Sequence, residues 1–405
     1  RIFARWLDLR LAMGILELLG KRKMAIHLPH VSALENFRDA RSRLSRFSPV
    51  CARLFRDVRR RRLAPRLGQK NKVNSVRHRI ARTNITCALF FLPFVALLAA
   101  PPARAGEIKL PPEAVQAMEK MYSGDPDAAI AMLRNFEQSD PANPLPFLLE
   151  GEARWWQIYC ADLEIKYGMI DAWKRGKKPE DEPFLLLADK VIDLAHAQIS
   201  KSDKAEMHFY AGMGFALKVR LEVLRGENRA VARAGVAARA EFLRALELDP
   251  QMSDATGGLG LYNYYVDSLS TSVKILRFFM GIPGGNRTEG IRQMQIGIDR
   301  GVVTPVEMRF HLARNLRTFD YQYERAIEVA QPLVERYPGN PVFQLLLGNL
   351  NAEMGRPVKT AEYLQAAMKI ANQPAATGCC SACPSCPRCS ARVREIAKAF
   401  LGSSQ

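Results

Sequence analysis

Five cysteines crowd into "GCCSACPSCPRCS", residues 378–390, of a 405-residue chain that has eight. Thiols so spaced invite three kinds of chemistry. Two C-x2-C hooks drawn from Cys379, Cys380, Cys383, Cys386 and Cys389 suit a tetrahedral zinc site of four thiolates, although hooks three residues apart are tight for one. An iron–sulfur cluster fits less well, because the spacing after Cys386 is one residue short of the ferredoxin pattern and no proline follows Cys389. Disulfides are the third reading. Cys160 joins the five to make six thiols, an even number with fifteen pairings, and an oxidising compartment would favour that outcome. Pro384 and Pro387 predict a non-helical loop here. Zinc at this loop is the one cofactor the sequence offers.

Other reactive groups are sparse. His196, His208 and His311 are too far apart for a two-ligand helix motif, and no Ser or Cys nucleophile signature accompanies them. The apolar setting of His208 predicts a core histidine with satisfied partners. Glu180, Asp181 and Glu182 lie in a Lys/Pro-rich stretch, 174–183, and read as solvated. "GIPGGNRTEG", residues 281–290, has the glycines of a phosphate cradle but no GK[ST] ending and no preceding strand, so it reads as an inter-helix turn. Arg287 at its end is the residue to test against an anionic ligand. These absences predict a non-catalytic protein. Groups suited to binding are plentiful, since Trp155, Trp156 and Tyr159 cluster in one segment and Tyr262, Tyr264 and Tyr265 in another. Aromatics with polar handles suit interfaces, and equally fill gaps between helices.

The formal charge of +18 is uneven. Residues 1–76 hold 19 Lys/Arg against 5 Asp/Glu, whereas residues 106–405 hold 36 of each. Nucleic-acid binding would thus rest on the N-terminal segment, where the run Arg59 to Arg62 has no interleaved aromatics, and none is expected. Residues 77–105 combine a basic stretch, the apolar run Ile85–Ala100 and Ala103-Arg104-Ala105, which predicts a signal peptide cut after Ala105. The alternative is an uncleaved inner-membrane signal anchor, the one case in which a membrane partner is expected. Cys87 is misplaced for lipid attachment. Residues 1–76 are expected to be a disordered basic segment or upstream sequence from a misplaced start, with Val73 or Val76 as the true beginning.

A repeat organises the chain after residue 105. Ala129, Leu133, Phe136 and Pro141, spaced four, three and five apart, recur in spacing at Ala238, Phe242, Ala245 and Pro250, and again at Ala326, Ala330, Leu333 and Pro338. Steps of four and three put residues on one helical face, small residues admit a partner helix, and proline stops the helix. With Leu259-Gly260 and Leu347-Gly348 in the preceding helices and a period of 34, residues 110–374 resemble the tetratricopeptide repeat (TPR) family.

The resemblance implies an all-α, right-handed helical-repeat solenoid whose concave face, lined by the first helix of each pair, takes a peptide or partner helix. Helix pairs are predicted at 110–141, 145–200, 203–250, 253–300, 304–338 and 341–373, irregular in the middle. The repeat domain is taken as 106–374, the Cys-rich loop as 375–390, and 391–405 as a capping helix and tail with Val393, Ile396, Phe400 and Leu401 on its apolar side. The functional expectation is an exported, periplasmic or cell-envelope scaffold for a protein partner. The competing expectation is a thiol or metal protein whose Cys-rich loop, 379–389, binds zinc or does redox chemistry.

Overall fold

The computed structural model describes residues 108–279, 281–373 and 386–402. They form an all-α helical-repeat solenoid with one small hairpin. Its first pair is α1 (Pro112–Tyr122) and α2 (Pro126–Ser139), and its second is α3 (Pro144–Ala161) and α4 (Asp181–Ile199). Pair three is α5 (Ala205–Arg225) and α6 (Asn228–Leu248). In pair four, α7 (Ser253–Ser268) and α9 (Arg287–Arg300) are separated in sequence by an extra helix, α8 (Thr271–Phe279). Pairs five and six are α10 (Pro305–Asn315) with α11 (Tyr323–Arg336) and α12 (Pro341–Glu353) with α13 (Pro357–Asn372). The cap is α14 (Cys386–Gly402).

Local chemistry sets these boundaries. Asp125, Asn143 and Asn340 each cap a helix through the side chain, and a proline follows each at the first helical position, where its missing N–H costs nothing. Pro141, Pro250 and Pro338 each stand two residues past a helix end, as the repeat pattern requires. Ala129, Leu133, Ala238, Phe242, Ala326 and Leu333 are buried, so the small and large members of the repeat do face neighbouring helices. The glycines of the first helices act by close approach. A Cβ on Gly260 would lie 2.7 Å from the Met294 nitrogen, and one on Gly348 would lie 2.8 Å from Leu364.

Three features depart from the expected layout. Between α3 and α4 the chain makes a two-stranded antiparallel hairpin, β1 (Leu163–Lys166) and β2 (Met169–Ala172), turning on Tyr167 and Gly168 with φ of 55° and 80°. Both central residues are left-handed, the geometry that a two-residue hairpin needs to match strand twist. Second, the stretch 253–300 holds three helices rather than two. Third, α14 begins at Cys386, not at residue 391, because Pro387 falls in the first turn, where a proline is tolerated.

The inner side of the solenoid is not left open at pairs one, two, five and six. Trp156 of α3 lies 6.3 Å from Tyr122 at the end of α1, 4.9 Å from Phe310 of α10 and 5.4 Å from Phe343 of α12, between ring centroids. Asn340, 218 residues on from Tyr122, donates to the Tyr122 carbonyl at 2.9 Å. The first and last pairs thus meet. The sequence pattern leaves this closure invisible, because each helix shows only that it has an apolar face and not which distant helix covers it.

α14 packs on α13, α3, α12 and β1, burying Val393, Ile396 and Ala397, and a Cys160–Cys389 disulfide ties it to α3. Cutting a link between residues 229 apart frees a long stretch of the unfolded chain. Cys389→Ser should therefore lower unfolding free energy by about 2–4 kcal/mol. Urea melts of oxidised parent, reduced parent and variant test this, with the variant expected to match the reduced parent.

Candidate functional site

The hairpin is held by a carboxylate in its second strand. Asp171 accepts from Arg317 at 2.6 Å, from Arg314, and from the Tyr159 hydroxyl at 2.9 Å. Burial alone would raise the Asp171 carboxyl, but Arg314 and Arg317 outweigh it and hold it below the usual carboxylate range. Arg317, 1% exposed, also donates to the Ile170 carbonyl and to Asn349 of α12, both at 3.0 Å. Asn349 completes the clasp. Its Oδ1 accepts from the Ile170 amide at 3.2 Å while its Nδ2 donates to the Gly168 carbonyl at 2.8 Å.

A widened turn makes Arg317 reachable. After α10 the helix passes into one π turn, Leu316–Asp320, which ends at Tyr321 with φ of 54°. The turn places Asp320 where Tyr264 donates to it at 2.6 Å and Arg287 at 2.6 Å. π turns and left-handed bulky residues are costly, and they persist where the surroundings over-determine them. Tyr167 and Tyr321 are the two non-glycine residues with positive φ among those described. They are also 71% and 51% exposed. Their chain neighbours Gly168 and Tyr323 both reach Glu353 at the end of α12. Gly168 abuts Glu353 there, Tyr323 forms a hydrogen bond with Glu353, and the Tyr321 and Tyr323 rings lie 6.5 Å apart. Met354 and Ile165 add partly exposed apolar surface.

The residues singled out in the sequence are mostly placed elsewhere. Trp155, Trp156 and Tyr159 are buried, and so is Tyr264. They fill the interior, because the inner helices pack on one another, and they form no open ligand surface in this structure. Tyr262 is half-buried and donates to the Pro283 carbonyl at 3.0 Å, while Tyr265 packs edge-on to Tyr264 and Phe319. Arg287 is engaged by Asp320 and Ser268 and stacks over Tyr264, so its cation already has an internal counter-charge. The α9 N-terminus is filled likewise, with Asn286 and Asp267 accepting its amides. His208 sits between Asp203 and Glu241, each at 2.6 Å, as its apolar setting suggested.

The acidic triplet needs correction. Asp181 is buried and gripped by both terminal nitrogens of Arg175, because that arginine folds back over the loop to join Asp162 and Asp181. Of the cysteines, Cys379, Cys380 and Cys383 lie outside the described residues, and Cys386 is the first residue of α14. Cys389 is bonded to Cys160, which removes it as a thiolate ligand for zinc. Among the described residues no group of three His, Cys, Asp or Glu side chains is arranged to hold a metal, and no helix is long and apolar enough to cross a membrane.

Deeper in, Glu152 of α3, Arg220 of α5 and Glu307 of α10 form a buried ionic cluster, with Glu307 also accepting from the Trp156 indole at 2.6 Å. Burial raises the Glu307 carboxyl to about 7, with Arg220 partly offsetting and Glu152 reinforcing the shift. His311 is held well below its ordinary range by burial and by Arg220 and Arg314. On the α2–α3 contact, burial and a hydrogen bond with Glu150 raise Glu137 to about 8.

No family model and no curated protein matches this chain. Among solved structures, one similar to part of it is the C-terminal part of a TPR repeat-containing protein from Cytophaga hutchinsonii. The match is 14% identical, covers 64% of this chain and 78% of that one, and has a TM-score of 0.28. The helical-repeat assignment rests on the packing described above.

Carboxyls raised in the folded state stay protonated there while ionising in the unfolded chain. Their stability is complete below about pH 4.5 and lost as pH rises toward 7 for Glu307 and 8 for Glu137. Asp171, lowered, works in the opposite sense, and its contribution is constant above pH 5. The melting temperature should therefore fall between pH 5 and pH 8. Glu307→Gln, which keeps an acceptor for Trp156, should flatten that slope in thermal melts across the range.

Proposed function

We propose that this chain is a non-catalytic scaffold of the cell envelope that holds a protein partner on the surface around the hairpin tip and the π turn. The observation that carries the reading is the pair of left-handed, exposed tyrosines, Tyr167 and Tyr321, whose chain neighbours Gly168 and Tyr323 both approach Glu353. Two exposed aromatics held in fixed backbone positions offer a surface suited to contact. Rigid aromatics lose little entropy on binding, and the nearby carboxylate of Glu353 supplies a polar contact for orientation. The partner presents a segment with an apolar residue beside a cation.

Export is part of the same proposal. The Cys160–Cys389 bond supports it, because disulfides persist in oxidising compartments. The apolar run and Ala103-Arg104-Ala105 that suggested a signal peptide lie outside the described residues.

Photo-crosslinking amino acids placed at 167 and 321, in cells of the native host, should trap one species of common mass. The same label at Leu186, exposed on α4, should not. In the purified complex, replacing both tyrosines by alanine should weaken binding by ~2 kcal/mol or more without lowering the melting temperature. Equal trapping at all three positions, or undiminished binding by the double variant, removes the reading.

A further inference from the structure

Arg287 closes on Asp320, and Arg220, Arg314 and Arg317 each face a carboxylate as well. Two arginines beside the turn 281–286 do not. Arg239 of α6 stacks over the Tyr262 ring of α7, with its guanidinium carbon 5.6 Å from the ring centroid. Arg277 of α8 donates through Nη1 to the Pro283 carbonyl at 2.6 Å, and the Tyr262 hydroxyl donates to that same oxygen at 3.0 Å. Three consecutive helices thus bring two cations to one phenol. Among the described residues neither guanidinium meets a carboxylate, and the buried Nε–H of each has no acceptor.

The electrostatics agree with this geometry. Burial raises the Tyr262 hydroxyl, and the two charges acting against that rise, Arg239 and Arg277, are both positive. Arg239, Tyr262 and Arg277 are each half-buried, so the two cations repel across a medium that screens them less than water does. An anion placed between them removes that repulsion, as Asp171 does for Arg314 and Arg317. The turn also leaves room for one. Gly284 is exposed, and a Cβ there would lie 3.3 Å from Arg277 Nη1, so glycine keeps the guanidinium uncovered on that side.

We propose that Arg239, Tyr262 and Arg277 form a binding site for a phosphate group. Guanidinium forks match phosphate oxygens, and two of them arriving from α6 and α8 suit a group with nearly two negative charges and three acceptor oxygens better than a single carboxylate. Free phosphate and the phosphomonoester end of a larger molecule share this chemistry. The inference is independent of the tyrosine surface at residues 167 and 321, which lies on other elements.

The test titrates the full chain with inorganic phosphate and with glycerol 3-phosphate by calorimetry, at an ionic strength held constant with sodium chloride. The parent should bind, and Arg239→Gln and Arg277→Gln should each weaken binding about tenfold, the loss of one charged partner. Arg292→Gln, which removes an exposed cation already paired with Glu289, should bind as the parent does. In nitrogen-15 spectra of the parent, phosphate should shift the Nε–H signals of Arg239 and Arg277, a readout that holds even if a variant fails to fold. Tighter binding of glycerol 3-phosphate would identify the ligand as a phosphomonoester, and equal or weaker binding would identify it as free phosphate. Absence of binding of both anions by the parent would overturn the proposal. So would unchanged affinity in either arginine variant, or Nε–H signals at 239 and 277 that stay in place while phosphate binds.

Discussion

Asp171 carries a charge that the surrounding protein must answer almost without water, and much of the surface architecture depends on how it is answered. A buried carboxylate without partners would take up a proton or destabilise the fold. Here two guanidiniums and a phenol hold it charged, and each comes from a different place: Tyr159 from α3, Arg314 from α10, Arg317 from the π turn. Satisfying one anion therefore fixes the relative positions of pairs two and five. Arg317's further bonds to Ile170 and Asn349 bring in pair six. The hairpin tip with Tyr167 and the end of the π turn with Tyr321 are both tied to that arrangement.

How much of this was legible in the sequence depended on whether the determinant was local. Ala129 with Leu133, Ala238 with Phe242 and Ala326 with Leu333 announce helical faces by spacing alone, and the structure buries all six. The capping helix was readable from Val393 and Ile396 for the same reason. The hairpin was missed because four-residue strands are too short to show alternation above noise. Its only local signal was Tyr167-Gly168 between "LEIK" and "MIDA".

The site residues were the least legible part. Trp155, Trp156 and Tyr159 have the chemistry of contact residues, but a sequence does not say whether the contact is with another molecule or with Phe310 and Phe343 more than 150 positions away. Exposure separates those cases, and exposure is a tertiary property. Tyr167 and Tyr321 carry no motif at all. What marks them is backbone conformation, which only Gly and Asn advertise in advance. The disulfide was half visible, because composition offered Cys160 as a sixth thiol while its nearness to Cys389 depends on how α14 folds back.

Open stacks of repeats behave almost as one-dimensional chains, in which each unit feels only its neighbours and an end can fray without disturbing the middle. The meeting of Tyr122 with Asn340 and of Trp156 with Phe310 and Phe343 takes this chain out of that class. Contacts of such sequence separation carry a large loop-closure cost before they return any stabilisation, so the early pairs must wait for the last ones to be made. During synthesis the aromatic face of α3 lacks its distant cover until α10 and then α12 emerge. The molecule is consequently committed to unfolding and folding nearly as a whole, and an organism making it must protect a half-finished chain for longer than an ordinary repeat protein would require.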